Sequence, residues 1–334
     1  AMLERILGPL PAWARRDHPM LRYELRGGGK TNRRWLLLLG AGILACLLLA
    51  LGYVIATELL SRPLSPNLTE SVNRVLYVPV LLLQILLGIT TLSISIGAIG
   101  EIIRRQQWDT LRVTEDGAGL TLRTRWAAVF YRVRPLLVII VGLRLLLVLG
   151  ILWDLTAFQG QYLDLLISGI VPQMSIPVPI GQPPLDLGVV VGIMLLAFML
   201  TAAVLLPLTS VGFDAAAGLL LSTLFKQRTY NALVQFGLLL LRLFVTGALL
   251  YAGFHFLADP TALPDGLAFV LMFFFGALGD WGLYFLHLSS FGEIWALIPY
   301  SIFLGLALML FALVQAFLAD RLLLWAIHRA QSRG

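Results

Sequence analysis

Long apolar runs alternate with short basic segments along the whole chain, a pattern typical of a protein that crosses a membrane several times. A transmembrane helix needs about 20 predominantly apolar residues, and six runs are long enough. Residues 35–158 contain spans 1 to 3, residues 187–257 contain spans 4 and 5, and residues 295–318 form the last span. The individual spans are predicted at 35–59, 75–99, 135–158, 187–213, 231–257 and 295–318.

The positions of the basic residues predict the orientation. Most of the 24 Lys and Arg residues fall in four segments, 1–34, 101–134, 212–230 and 319–334. Because short loops rich in Lys and Arg stay in the cytoplasm, we expect both termini there, with 319–334 as a cytoplasmic tail. The membrane is expected to be a prokaryotic cytoplasmic membrane. No cleavable signal peptide is expected, because the first long apolar run follows about thirty polar and basic residues.

A seventh apolar stretch, 266–288, is interrupted by Gly and Asp at 276–282. Counting it as a span would place the C-terminal arginines outside, against the charge rule. We therefore expect a re-entrant extracellular helical hairpin before the last span, since broken helices are tolerated where protein covers their backbone. The alternative is that this stretch spans the membrane.

The N-terminal residues 1–34 carry apolar side chains at helical spacing, with arginines on other faces. This pattern predicts an amphipathic helix lying flat on the cytoplasmic interface, followed by a linker. The alternative is a disordered basic tail. The apolar positions are Leu3, Ile6, Leu7, Leu10 and Trp13.

Composition excludes an ordinary soluble domain, because 59% of the residues are hydrophobic, only 13% are charged, and the mean hydropathy is +0.89. The net charge of +6 lies on the predicted cytoplasmic face, which favours a bilayer surface and no nucleic-acid partner. No metal, cofactor or catalytic constellation is expected, because the four histidines are scattered. Gly27–Thr31 does not complete a phosphate-binding loop, since Glu24 stands where glycine is required. The chain is therefore not expected to be an enzyme.

The second predicted span is followed by an acidic residue and a pair of arginines. A short amphipathic segment comes next. Its spacing places Trp108, Leu111 and Val113 on roughly one surface. Such a segment is suited to transmit motion from a soluble partner, and the alternative is an ordinary cytoplasmic loop. The residues that carry the pattern are Glu101, Arg104, Arg105, Trp108, Asp109, Thr110, Leu111, Val113 and Thr114.

These residues resemble the coupling helix of type-2 ATP-binding-cassette exporter permeases, and so do residues 18–26 at the start of the chain and 217–228 after the fourth span. The resemblance implies a permease subunit that works as a homodimer, or with a homologous partner, and docks on a separate nucleotide-binding ATPase subunit. His18 for the usual Asn and Glu115-Asp116 for a frequent Pro depart from the family pattern. They allow an alternative, a non-transporting membrane anchor or scaffold subunit of a larger complex.

Two arginines are predicted near the middle of the membrane. Arg144 lies about nine residues into the third span and Arg242 about eleven into the fifth, with no Asp or Glu expected at that depth. One hypothesis makes them, with Gln84, a basic lining of the pathway that attracts an anionic or lipid-headgroup substrate. The alternative is a structural role, in which each arginine bonds backbone carbonyls, Gln84, Ser or Thr, or extends toward the lipid phosphates.

Overall fold

The structure, a computed structural model, describes residues 11–26, 34–59, 68–104, 117–157, 187–225, 228–286 and 303–332. Within these ranges all the regular secondary structure is helical. The α-helices are α1 (Pro19–Arg26), α2 (Arg34–Val54), α3 (Leu68–Arg104), α4 (Gly117–Ala157), α5 (Leu187–Leu224), α6 (Arg228–Ala258), α7 (Asp265–Phe274) and α8 (Phe303–Ser332).

Five of the described helices, α3, α4, α5, α6 and α8, are long and apolar enough to cross a membrane. They confirm the prediction of an all-α membrane protein. The first predicted span corresponds to α2, which has 21 residues and whose side chains are described only from Ile43 onward. The count of six spans therefore stays a prediction.

The helices extend well beyond the spans predicted from hydropathy. α4 begins at Gly117, so the second half of the predicted coupling segment 101–134 is helical and continuous with the third span. α5 continues to Leu224, and α8 runs to Ser332 through most of the predicted tail. The charge pattern marks where the membrane ends, whereas a helix continues until the backbone meets a breaker.

α5 lies at the centre of the bundle and packs against α8, α3 and α4. About 50% of its most apolar stretch is buried, against 6% for α6, which lies at the periphery. Gly305 of α8 allows a close crossing with α5, because a Cβ atom there would lie 2.5 Å from the carbonyl oxygen of Leu195 and 2.8 Å from the Cβ of Met199. Close crossings at small residues are a usual basis of helix packing in membranes.

One end of the bundle gathers the short N-terminal helix and the ends of several long helices. Leu21 of α1 is fully buried against Ala127 and Ala128 of α4. Glu24 lies 2.8 Å from the guanidinium of Arg125, which fixes α1 on α4. The C-terminal halves of α5 and α8 pack at this same end, so the first and last described residues lie on one side. The predicted amphipathic positions 3–10 lie outside the described residues, while Trp13 packs edge-on against Trp126.

The opposite end of the bundle contains the interrupted segment. α7 passes into a π-helical turn, Phe275–Gly279, and the chain then bends at Asp280 before a 3₁₀ turn, Tyr284–Leu286. The break therefore falls within the predicted interval 276–282. The re-entrant course of 266–288 itself stays a prediction, because residues 287–302 lie outside the described ranges.

Candidate functional site

The predicted coupling residues lie largely outside the described structure. Glu101 and Arg104 belong to the last turn of α3, although their side chains are not described. The others, Arg105, Trp108, Asp109, Thr110, Leu111, Val113 and Thr114, fall within 105–116, between the end of α3 and the start of α4. Their role stays a prediction.

Arg144 is the centre of a hydrogen-bond network deep in the bundle. Its side chain is 0% exposed, and its five N–H donors bond four oxygen atoms. Nε lies 2.9 Å from Oε1 of Gln84, which also accepts from Nη2. The other acceptors are the backbone carbonyls of Ala203, Asp280 and Trp281. We call this set the Arg144 network; it joins α3, α4 and α5 to the turn at Asp280.

The Ala203 carbonyl is available because α5 contains a proline. In an α-helix the carbonyl of residue 203 would accept from the N–H of residue 207, and Pro207 has none. Water is not available in a membrane interior to replace that bond. Arg144 supplies the missing donor. A cation on α4 thus bonds the carbonyl of α5 that the proline leaves without a helical partner.

The turn at Asp280 presents two more carbonyls to the same guanidinium. The backbone is left-handed at Trp281 and Gly282, with φ values of 55° and 74°, a conformation disfavoured for a large residue such as Trp. The buried Asp280 carboxylate holds the turn by accepting from the N–H groups of Gly282 at 3.0 Å and Tyr284 at 2.8 Å. The side chain of Asp280 thus fixes the shape of the turn, while its backbone oxygen bonds Arg144 and Gln84.

Aromatic rings enclose the carboxylate side of this turn. The hydroxyl of Tyr77, from α3, donates to Asp280 at 3.1 Å. Its ring meets those of Phe254 and Tyr284 edge-to-face, with centroids 6.1 and 5.8 Å apart. Phe275 completes the group. The aromatic cluster packs α6 against the turn and contributes to the complete burial of Asp280.

Arg242 has a different environment from Arg144. It forms an ion pair with Asp214 of α5, and its side chain is 26% exposed against 10% for Asp214. Its guanidinium lies over Gly88 of α3, where a Cβ atom would come within 2.8 Å of the arginine Cζ. Glycine at this position lets the arginine cross α3 and reach its partner on α5.

A small cavity lies beside Arg242 and reaches Gln84 of the Arg144 network. Its volume is about 20 Å³, and it lies between α3, α6 and the start of the turn. Gln84 lines it on one side and Arg242 on the other. The remaining lining residues are Ile85, Ile89, Leu243, Thr246, Leu278, Gly279 and Trp281.

The expectation that no acid shares the depth of the arginines is wrong. Asp214 pairs with Arg242, and the Asp280 turn bonds Arg144. The fourth span is predicted to stop at residue 213, one residue before Asp214. α5 instead continues ten residues past Asp214, about 15 Å along the axis. The signal for both acids is their isolation within apolar runs, which marks functional or paired positions.

The geometry assigns different chemistry to the two arginines. The enclosed Arg144, with all five donors used inside one chain, has the geometry of the structural role. Arg242 borders a cavity and is partly exposed, so the anion-lining hypothesis applies to it alone. Among the described residues there is no group of three or more His, Cys, Asp or Glu side chains that could hold a metal ion.

No protein-family model, curated protein or solved structure matches this chain significantly.

Proposed function

We propose that the chain is the permease subunit of an ATP-driven exporter, working as a dimer with a separate ATPase subunit. The dimer partner is a second copy or a homologous permease. The proposal combines the resemblance of residues 101–114 to a coupling helix with one structural observation, the lengths of the two helices that flank this segment.

That observation is the reach of α3 and α4. They contain 37 and 41 residues, or about 55 and 62 Å at 1.5 Å per residue. The hydrocarbon core of a bilayer is about 30 Å thick. Both helices therefore project from the membrane, and residues 105–116 connect their projecting ends. A soluble subunit that contacts this connection can therefore displace both long helices, α3 and α4.

The Arg144 network connects α3 and α4 to the other side of the bundle. Gln84 and Arg144 link α3 to α4, and the same guanidinium bonds α5 and the Asp280 turn. All these groups are buried. We infer that α3, α4 and the turn move together when the ATPase subunit acts on residues 105–116.

The proposal includes the finer topology. α2 is the first of six spans, residues 266–288 re-enter from outside, and both termini face the cytoplasm of a prokaryotic cell. The exposed apolar surface of α6, which includes Phe236, Phe244 and Tyr251, is then available to the bilayer or the partner permease.

The decisive experiment is purification of the protein from its native membrane in mild detergent, followed by identification of the accompanying subunits. An ATPase subunit is expected. In that complex Trp108→Ala should lower substrate-stimulated ATP hydrolysis without lowering expression. Trp153→Ala is the matched control, because this exposed tryptophan lies near the other end of α4.

Full activity of Trp108→Ala in the assembled complex would remove the coupling role. Recovery of a stable membrane complex that lacks an ATPase would instead favour the anchor or scaffold alternative.

A further inference from the structure

Two side chains in the cavity between α3 and α6 carry hydrogen-bond donors that have no partner among the described residues. Arg242 donates to Asp214 through Nη1, and its Nε and Nη2 groups bond no other described residue. Thr246 is 8% exposed, and its hydroxyl makes no bond to a described residue. Both side chains line the cavity. The cavity thus has a cation and, one helical turn away on α6, the hydroxyl of a mostly buried threonine.

Free donors at this depth call for an acceptor. A membrane interior has no bulk water to bond them, and a polar group left without a partner costs several kcal/mol. The neighbouring glutamine does not serve, because the Gln84 carbonyl oxygen is occupied by Arg144. Among the described residues no acceptor bonds these donors, so the site is open to an acceptor from outside the chain.

The size of the cavity defines how much of that acceptor enters. A volume of about 20 Å³ accommodates roughly one oxygen-sized group. The rest of a larger ligand must remain at the opening toward α6, where Leu243 is 42% exposed. The fitting ligand projects one oxygen inward and keeps its bulk at the surface of the helix pair.

Charge favours an anionic oxygen over a neutral one. Asp214 pairs with Arg242 but is not among the residues that line the cavity, whereas Arg242 is. The nearest charge to a ligand is therefore positive, and the partial compensation by Asp214 keeps binding reversible. Arginine also bonds oxyanions through several N–H groups at once.

We propose that this cavity binds one oxygen of a phosphate-type oxyanion, with Arg242 supplying the charge and Thr246 the hydroxyl donor. The anion is carried on a lipid headgroup or comes from free phosphate. The role of this site in transport rests on the proposed permease function, and the site then identifies the class of ligand as a phosphate-type oxyanion. Binding itself needs no ATPase subunit, so a failed coupling experiment leaves this site untouched.

The test uses the full-length protein in a phosphate-free maltoside detergent, with the thermal unfolding temperature as the readout. One arm adds inorganic phosphate; the other adds phosphatidylglycerol, with diacylglycerol as the matched lipid that lacks the phosphate. A ligand that binds the folded state raises the unfolding temperature. An increase in the first arm identifies a free anion, and an increase with phosphatidylglycerol alone identifies a lipid headgroup.

Thr246→Val assigns the effect to this cavity, because it keeps the shape of the side chain and removes the donor. Loss of one hydrogen bond to a charged group should weaken binding about tenfold or more. The control is Thr201→Val, at an exposed threonine of α5 whose hydroxyl bonds the Ala197 carbonyl. Arg242→Gln should abolish the shift where the variant folds.

Two results would overturn the proposal. In one, neither phosphate nor phosphatidylglycerol raises the unfolding temperature of the unmodified protein, and the cavity then holds water alone. In the other, the shift persists at full size in Thr246→Val, which would place the anion elsewhere.

Discussion

The guanidinium of Arg144 donates a hydrogen bond to the backbone carbonyl of Ala203, on a neighbouring helix. The bond occupies the acceptor that Pro207 leaves unmatched within α5. A proline in one membrane helix and a fully buried cation in another are thus complementary features. Each would be unfavourable alone, since an unmatched carbonyl and an unpaired arginine are both costly at this depth.

The first prediction couples these two residues. Arg144→Gln should reduce the free energy of unfolding by about 3 kcal/mol or more, because it leaves buried acceptors without their donor. In a Pro207→Ala background the loss should shrink by about 1 kcal/mol, since alanine restores the N–H that bonds the Ala203 carbonyl. The coupling energy between the two residues is obtained by measuring the free energy of unfolding in detergent for the unmodified protein, the two single variants and the double variant.

Arg134→Gln is the control for this cycle, because Arg134 is exposed on the same helix. Its effect should stay within about 0.5 kcal/mol. An equal loss from Arg144→Gln in both backgrounds would show that the proline and the arginine are independent.

The second prediction concerns the aromatic cluster. Tyr77→Phe removes the hydroxyl that donates to Asp280 but keeps the ring contacts with Phe254 and Tyr284. Stability should fall by about 1 kcal/mol, the usual effect of losing one such bond. Tyr251→Phe should have almost no effect, because Tyr251 is 75% exposed. Equal thermal unfolding temperatures for the two variants would argue against the Tyr77–Asp280 bond.

The third prediction tests the approach of Arg242 across α3. Gly88→Ala adds a methyl group within 2.8 Å of the guanidinium carbon, so the arginine must shift away from Asp214. The expected loss of stability is about 1–3 kcal/mol, the range for added bulk at a close-packed site. Gly237→Ala is the matched change, because nothing lies within 4 Å of a Cβ atom there. It should be neutral or slightly stabilising, since alanine favours helix.

The fourth prediction concerns topology. In a Cys46→Ala background, a cysteine replacing Asp265 should react with a membrane-impermeant reagent from outside intact cells. A cysteine replacing Arg329 should react only after the membrane is permeabilised. Both positions are exposed in the structure. Labelling of position 329 from outside would mean that residues 266–288 span the membrane and that the proposed orientation of the C-terminus is wrong.

Much of the architecture is accessible from sequence, because its causes are local. Apolar length identifies the long helices, and glycine and aspartate within an apolar run locate the break near Asp280. The depth of Arg144, counted along its helix, indicates a cation that needs acceptors, and the structure identifies Gln84 and backbone carbonyls among the alternatives.

The partners of the two arginines cannot be predicted in the same way, because they lie far away in the sequence. Arg144 and Asp280 are 136 residues apart, and no periodicity relates them. Asp214 was missed for a simpler reason, since hydropathy ended the fourth span one residue before it. The two arginines have similar local sequences, yet only packing distinguishes the enclosed Arg144 from the partly exposed Arg242.

The order of synthesis gives the Arg144 network a further consequence. Gln84 and Arg144 leave the ribosome early, Ala203 follows, and the carbonyl of Trp281 comes 137 residues after the arginine. Until the turn is made, two guanidinium donors of a helix already in the bilayer lack their final acceptors. Completion of the turn therefore closes the interior of the protein, and a chain truncated before residue 280 lacks the acceptors of two Arg144 donors.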